Sequence, residues 1–112
     1  MIPVVRVKDN VTFTKIAPAG FRILSAIDGA ALRCAHDLTI TSACDSEHSG
    51  PEDPHHRGEA YDVRSKDVLD KQFVLSTIMG QLGEAKFYGF LEDPDTDTEH
   101  FHIQVRKGII YP

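Results

Sequence analysis

The sequence predicts a small α+β domain, a mainly antiparallel sheet with two helices packed on one side. Three observations predict it. Two stretches repeat apolar residues at helical spacing, and several shorter ones alternate apolar with polar residues. Their order along the chain is helix, strand, strand, helix, strand, strand, after a short opening strand. At 112 residues a single domain over 1–112 is expected. Folding at this size buries roughly 60–70 % of the unfolded chain's surface, enough for one core without disulfides.

Each element has its own signal. VVRV (4–7) reads as a short edge strand. PAGFRILSAIDGAALRCA (18–35) reads as a helix, with Pro18 in its first turn and Phe21, Leu24, Ile27, Ala31 and Cys34 as its apolar stripe. Gly29 within it is a mild flaw, worth up to about 1 kcal/mol against alanine. LTITSA (38–43) is a strand. CDSEHSGPEDPHHRG (44–58) is a loop long enough to suggest function. EAYDVR (59–64) is a strand. DVLDKQFVLSTIMGQLG (67–83) is a second helix, capped by Asp67 and ended by Gly83, with Leu75, Ile78, Met79 and Leu82 on one face. AKFYGFLE (85–92) and HFHIQVRK (100–107) are strands. The acidic run LEDPDTDTE (91–99) reads as a solvated loop, or as residues that surround a cation.

The formal net charge is −5 and there is no basic stripe, so nucleic acid is not an expected partner. Cys34 and Cys44 are too few for a disulfide framework, and Cys34 falls in a helix pattern as a buried thiol. A bridge between them has no support in the sequence. The opening MIPVVRVKDN has no signal-peptide character, and no apolar run approaches the ~18–20 residues of a membrane span. The expectation is a chain made soluble in the cytoplasm, with no membrane insertion, and a monomer.

Alternation gives each strand two faces. Phe101, Ile103 and Val105 form one face of the last strand, and His100, His102, Gln104 and Arg106 the other. In EAYDVR, Tyr61 and Val63 oppose Ala60, Asp62 and Arg64. His55 ends the loop leading to Asp62, Gly58 permits a sharp turn, and Ala60 leaves space. Two imidazoles and a carboxylate suit zinc, with a fourth position open for water as in catalytic sites. An isolated HxH is common on solvated strand faces, and HxxGxAxD alone is also a turn followed by a strand. Together, on polar faces of adjacent strands, they point to a metal site.

HxxGxAxD followed by a late HxH resembles the zinc D-Ala-D-Ala peptidases of bacterial cell-wall metabolism. Their relatives include phage endolysins that cut L-Ala-D-Glu bonds and the hedgehog signalling domain. The resemblance runs from Leu38 to Val105, in HHRGEAYD and EHFHIQV. It implies the hedgehog/DD-peptidase fold, a zinc cofactor, and peptidoglycan stem peptides as substrate, reached at the cell wall by some route of release. It implies His55, Asp62 and His102 as ligands, Glu99 as general base, and His100 as the histidine that orients water or steadies the transition state. Glu99→Gln would then keep metal and lose turnover. Asp97 and His100 repeat the acid-x-x-His spacing and form the alternative register.

The sequence also departs from the family. Where many members carry Ser-Gly-Tyr-Arg, this chain has TSACDS (41–46), without the substrate-binding arginine. Arg64 is the first candidate to replace it and Arg57 the second. Asp53 stands where a serine is usual. His56 is expected at the surface, His48 near the substrate cleft, and His36 as a helix C-terminal cap. Three rivals stand beside the peptidase: a non-catalytic zinc-binding module of the same fold, a cupin-like oxygenase, and a structural protein with surface histidines. The cupin pattern needs a glutamate soon after HxH, and here IQVRKG follows.

Overall fold

A computed structural model describes residues 2–44, 54–55 and 57–109. The elements run β1 (Val5–Val7), α1 (Pro18–Cys34), β2 (Leu38–Ser42), β3 (Ala60–Arg64), α2 (Lys71–Leu82), β4 (Phe87–Glu92) and β5 (His100–Val105). The strands form one sheet in the order β1-β2-β3-β5-β4. The sheet is mixed. β1 pairs with β2 in parallel, while β2–β3, β3–β5 and β5–β4 are antiparallel. The parallel edge arises because α1 carries the chain back between β1 and β2, the connection a parallel pair requires.

α1 has no side-chain cap because its N-cap is Ala17, and Pro18 opens its first turn, where its missing N–H would have had no partner. The helix ends at Ala35, whose φ of 53° is left-handed and whose N–H returns to the last turn. The His36 ring bonds the Asp37 carbonyl, so the helix end is closed by the His36 backbone N–H on Ala31 and not by the expected side chain. The buried face is Ala19, Ile23, Ala26, Ile27, Ala30 and Ala31. Ile27 and Ala31 of the expected stripe are on it and Leu24 and Cys34 pack against the core, but Phe21 is 61 % exposed. The reason is the small residues: alanines and Gly29 let α1 approach its neighbours closely. A Cβ at Gly29 would lie 2.1 Å from Gln81 Oε1. The Gln81 amide donates to Ala26 O at 2.9 Å, tying α2 to α1. Gly29 is thus a contact point and not a flaw.

α2 begins later than the sequence suggests. Asp70, not Asp67, caps it, accepting from the Phe73 N–H at 3.1 Å. A turn from Ser65 to Val68 occupies the intervening residues and buries Val68. Val74 and Ile78 are buried, and Leu75, Met79 and Leu82 pack against the same core. That core joins both helices to Tyr61, Val63, Phe87, Phe101, Ile103 and Val105. The alternation expected for β3 and β5 is therefore realised, and the other sheet face is left for Asp62, His100 and His102.

Cys34 and Cys44 are free, half-buried thiols. Among the described residues no helix is long and apolar enough to cross a membrane. Most of the 44–58 loop lies outside the described residues, including His48, Asp53 and His56.

Candidate metal centre

The site is built by register. Asp62 on β3 sits opposite His102 on β5, and Arg64 opposite His100. On the other side of β5, Phe90 faces His102 and Glu92 faces His100. The turn from Asp93 to Thr98 holds the β4–β5 connection in this register. Asp93 and Asp95 both adopt positive φ, and Thr96 and Thr98 hydroxyls donate to Asp93 oxygens at 2.7 and 3.1 Å.

A second turn brings His55 over the sheet. The His55 carbonyl accepts from the Gly58 N–H at 3.1 Å, and the Pro54 carbonyl from the Glu59 N–H at 2.9 Å. Gly58 has φ 71°, and its carbonyl accepts from Tyr61 Oη at 3.0 Å and the Ala17 N–H at 3.3 Å. His55 ends only 2 % exposed, so the face expected to be open is partly roofed.

Three imidazole nitrogens converge on one carboxylate oxygen. His102 Nδ1 lies 2.9 Å from Asp62 Oδ1, His55 Nε2 3.4 Å, and His100 Nε2 3.6 Å. In each ring the other nitrogen faces a fixed oxygen. His55 Nδ1 is 2.9 Å from Ala43 O, His100 Nδ1 2.6 Å from Thr98 O, and His102 Nε2 2.7 Å from Gln104 Oε1. The Gln104 amide nitrogen donates to Val105 O at 2.9 Å, which fixes which end of that side chain meets the ring. Those outer oxygens can only accept, so each ring donates outward. A neutral ring then turns a lone pair inward. Three lone pairs around a carboxylate repel unless a proton or a cation lies among them.

The spacing suits a cation. Tetrahedral ligands at ~2.0–2.2 Å from zinc sit roughly 3.3 Å apart. Outer hydrogen bonds of this kind are the usual means of aiming metal-binding histidines.

Comparison with family models, with curated proteins and with solved structures found no match to this chain. The site therefore stands on its residues and their geometry.

Asp62, Glu92, His100 and His102 each offer a ligand atom, all within 4.8 Å of one another, and the group could hold a metal ion. His55 joins them at the wall of a cavity of about 260 Å³ that also includes Gln104. Without metal, Asp62 and His102 hold each other. Burial raises the Asp62 pKa, but hydrogen bonds from His102 and His55 outweigh it and bring it well below the usual range. Burial lowers that of His102, but bonding to Asp62 and Gln104 reverses the shift upward.

The expected residues divide. His55, Asp62, His100 and His102 are brought together. Arg64 lines an adjoining cleft that includes Asp62 and His100. Arg57 pairs instead with Glu59 at 2.7 Å. Glu99 turns toward α2. Its carboxylate accepts from Lys71 Nζ at 2.7 Å, Ser65 Oγ at 2.8 Å and the Asp95 N–H at 3.1 Å. Lys71 first, then Asp95 and Ser65, hold its pKa down at about 2. The cause is parity: residues three apart on a strand point to opposite faces, so Glu99 follows Phe101 and Ile103 and not His102. Asp97 is no substitute, because its side chain is fully exposed.

Glu92 and Gln104 were not anticipated as site residues. Glu92 Oε1 lies 2.9 Å from His100 Nε2 and 3.8 Å from His102 Nδ1. Its signal was present: a hairpin joining 85–92 to 100–107 puts the even-numbered residues of both strands on one face. If Gln104 aims His102, Gln104→Leu should weaken metal binding about 10–100-fold with little change in fold. Competition with a chromogenic zinc chelator would measure it.

Proposed function

We propose that this chain is a zinc-dependent peptidase that hydrolyses a peptide bond in peptidoglycan stem peptides, on a hedgehog/DD-peptidase-like fold. The convergence of His55, Asp62 and His102, each histidine aimed by an outer oxygen acceptor, carries this reading. HxxGxAxD and HxH, with the cell-wall peptidases they resemble, supply the reaction class. In this reading those three residues hold zinc. Zinc bound there would lower the pKa of a coordinated water to about 7 and polarise the scissile carbonyl.

The remaining roles fall to nearby side chains. Glu92 takes the proton from the attacking water and returns it to the leaving amine. Its partly exposed carboxylate lies beside His100 and His102, whereas Glu99 is occupied by Lys71 and Ser65. His100, anchored through Thr98, steadies charge developing on the carbonyl oxygen.

Paired variants test the assignment. Glu92→Gln should keep metal and lose turnover by about 10²–10⁴-fold. Glu99→Gln should retain most turnover and melt at a lower temperature, having lost the charge that pairs with Lys71. The reverse pattern in turnover would return the base role to Glu99.

One observation favours a non-catalytic zinc module of the same fold. The acid that the family motif supplies as base is tied up by Lys71. A protein with full zinc and no hydrolysis of any stem peptide would favour that reading.

A further inference from the structure

The helix side of the domain, away from the metal group, holds a separate cavity of about 310 Å³ where the end of α1 meets the start of α2. Val68 and Val74, both buried, lie in its wall. Leu69 and Phe73 line it too, yet Leu69 is fully exposed and Phe73 about half exposed. Their backbone is held in place. The Val68 N–H donates to Ser65 O at 3.0 Å, and Asp70 Oδ1 accepts from the Phe73 N–H at 3.1 Å. A leucine and a phenylalanine left in water beside an apolar cavity mark a contact surface. The cavity is also acidic. Asp67 and Asp70 line it, and no lysine or arginine does. The cations that flank this stretch in sequence are engaged elsewhere, Lys66 with Asp97 and Lys71 with Glu99. Asp67 does not cap the helix, and its carboxylate has no hydrogen bond or ion pair among the described residues.

We propose that this cavity docks a segment of another protein that presents an apolar side chain beside a lysine or arginine. The apolar walls take up that side chain, and burying it against Leu69 and Phe73 supplies most of the attraction. The volume lies at the lower end of ligand sites and suits one side chain rather than a larger body. Asp67 and Asp70 pair with the basic residue, and the formal net charge of −5 draws a basic segment toward the chain. Charge also decides against the other occupants. A second copy of this chain brings a like net charge, and an anionic membrane surface repels both acids. The cavity shares no residue with the metal group, so a docked partner leaves that face open whatever reaction runs there.

The test uses the full chain as purified, with valine and leucine methyls labelled for NMR. Three peptides are titrated in turn: acetyl-Ala-Leu-Arg-Ala-amide, acetyl-Ala-Leu-Glu-Ala-amide and acetyl-Ala-Ser-Arg-Ala-amide. The leucine–arginine peptide should shift the methyls of Val68, Leu69 and Val74. The other two should bind about tenfold more weakly, one for want of charge and one for want of apolar surface. Leu69→Ser should weaken the leucine–arginine peptide about tenfold. Asp67→Lys should reverse the preference between the arginine and glutamate peptides. Both positions are exposed, so both variants should fold, and their melting temperatures check it. Equal binding of the arginine and glutamate peptides, unchanged affinity in both variants, or no shift at the cavity with any peptide would overturn the proposal. So would methyl shifts that grow with protein concentration alone, which would give the surface to a second copy, or a response confined to anionic lipid vesicles.

Discussion

Replacing Gly58 with alanine is expected to cost about 2–4 kcal/mol of stability and to remove the metal site with it. The backbone there has φ 71°, where a Cβ is strained. The added carbon would also lie 2.5 Å from Lys15 O and 3.0 Å from both Ala17 N and Ile16 Cα. All three are backbone atoms before α1, so the turn must move. That turn carries His55, and the Gly58 carbonyl is also what Tyr61 and Ala17 bond. Gly83→Ala is the control: its φ is 80°, but nothing lies within 4 Å of the added carbon. It should cost only about 1 kcal/mol and leave metal binding unchanged. Denaturant melts with zinc titrations on both variants check the difference.

Asp62→Asn is expected to reduce metal affinity by more than about a hundredfold, since even outer partners of a ligand set cost about 10–100-fold. Asp62 Oδ1 is the atom that all three histidines face. An amide keeps the shape but loses the charge that balances a divalent cation. Zinc at about a thousand times its Kd would stabilise the wild type by about 4 kcal/mol, by binding only the folded state. The variant should show no zinc-dependent rise in melting temperature. An equal rise in both proteins would place the ion elsewhere.

Much of the site was legible because strand alternation is a strict rule. His100 and His102, two apart, had to share a face, and Asp62 had to oppose Tyr61 and Val63. The same rule, applied to Glu99, would have turned it toward the helices. The family spacing suggested otherwise, and Lys71 with Ser65 accounts for its actual position. Glu92 was hidden because it ends a strand and begins an acidic run, and only the β4–β5 register makes it a neighbour of His100. The outer acceptors at Ala43 and Thr98 are backbone carbonyls, which no residue type announces.

The fold was legible to a similar depth. Both helices and all the strands lie near their expected places, VVRV included. The parallel pairing of β1 was not, because pairing partners are set by the path of α1 and not by local pattern. The buried face of α1 was legible at Leu24, Ile27, Ala31 and Cys34 but not at Phe21, because Ala19, Ala26 and Ala30 contribute close approach where Phe21 suggested bulk.

The most direct measurement is the metal content of the purified protein, by mass spectrometry, beside His102→Ala. The account predicts about one zinc per chain, lost in the variant. No bound metal, even after zinc is supplied, would contradict it. The outward-donating histidines around Asp62 would then be held together by protons alone.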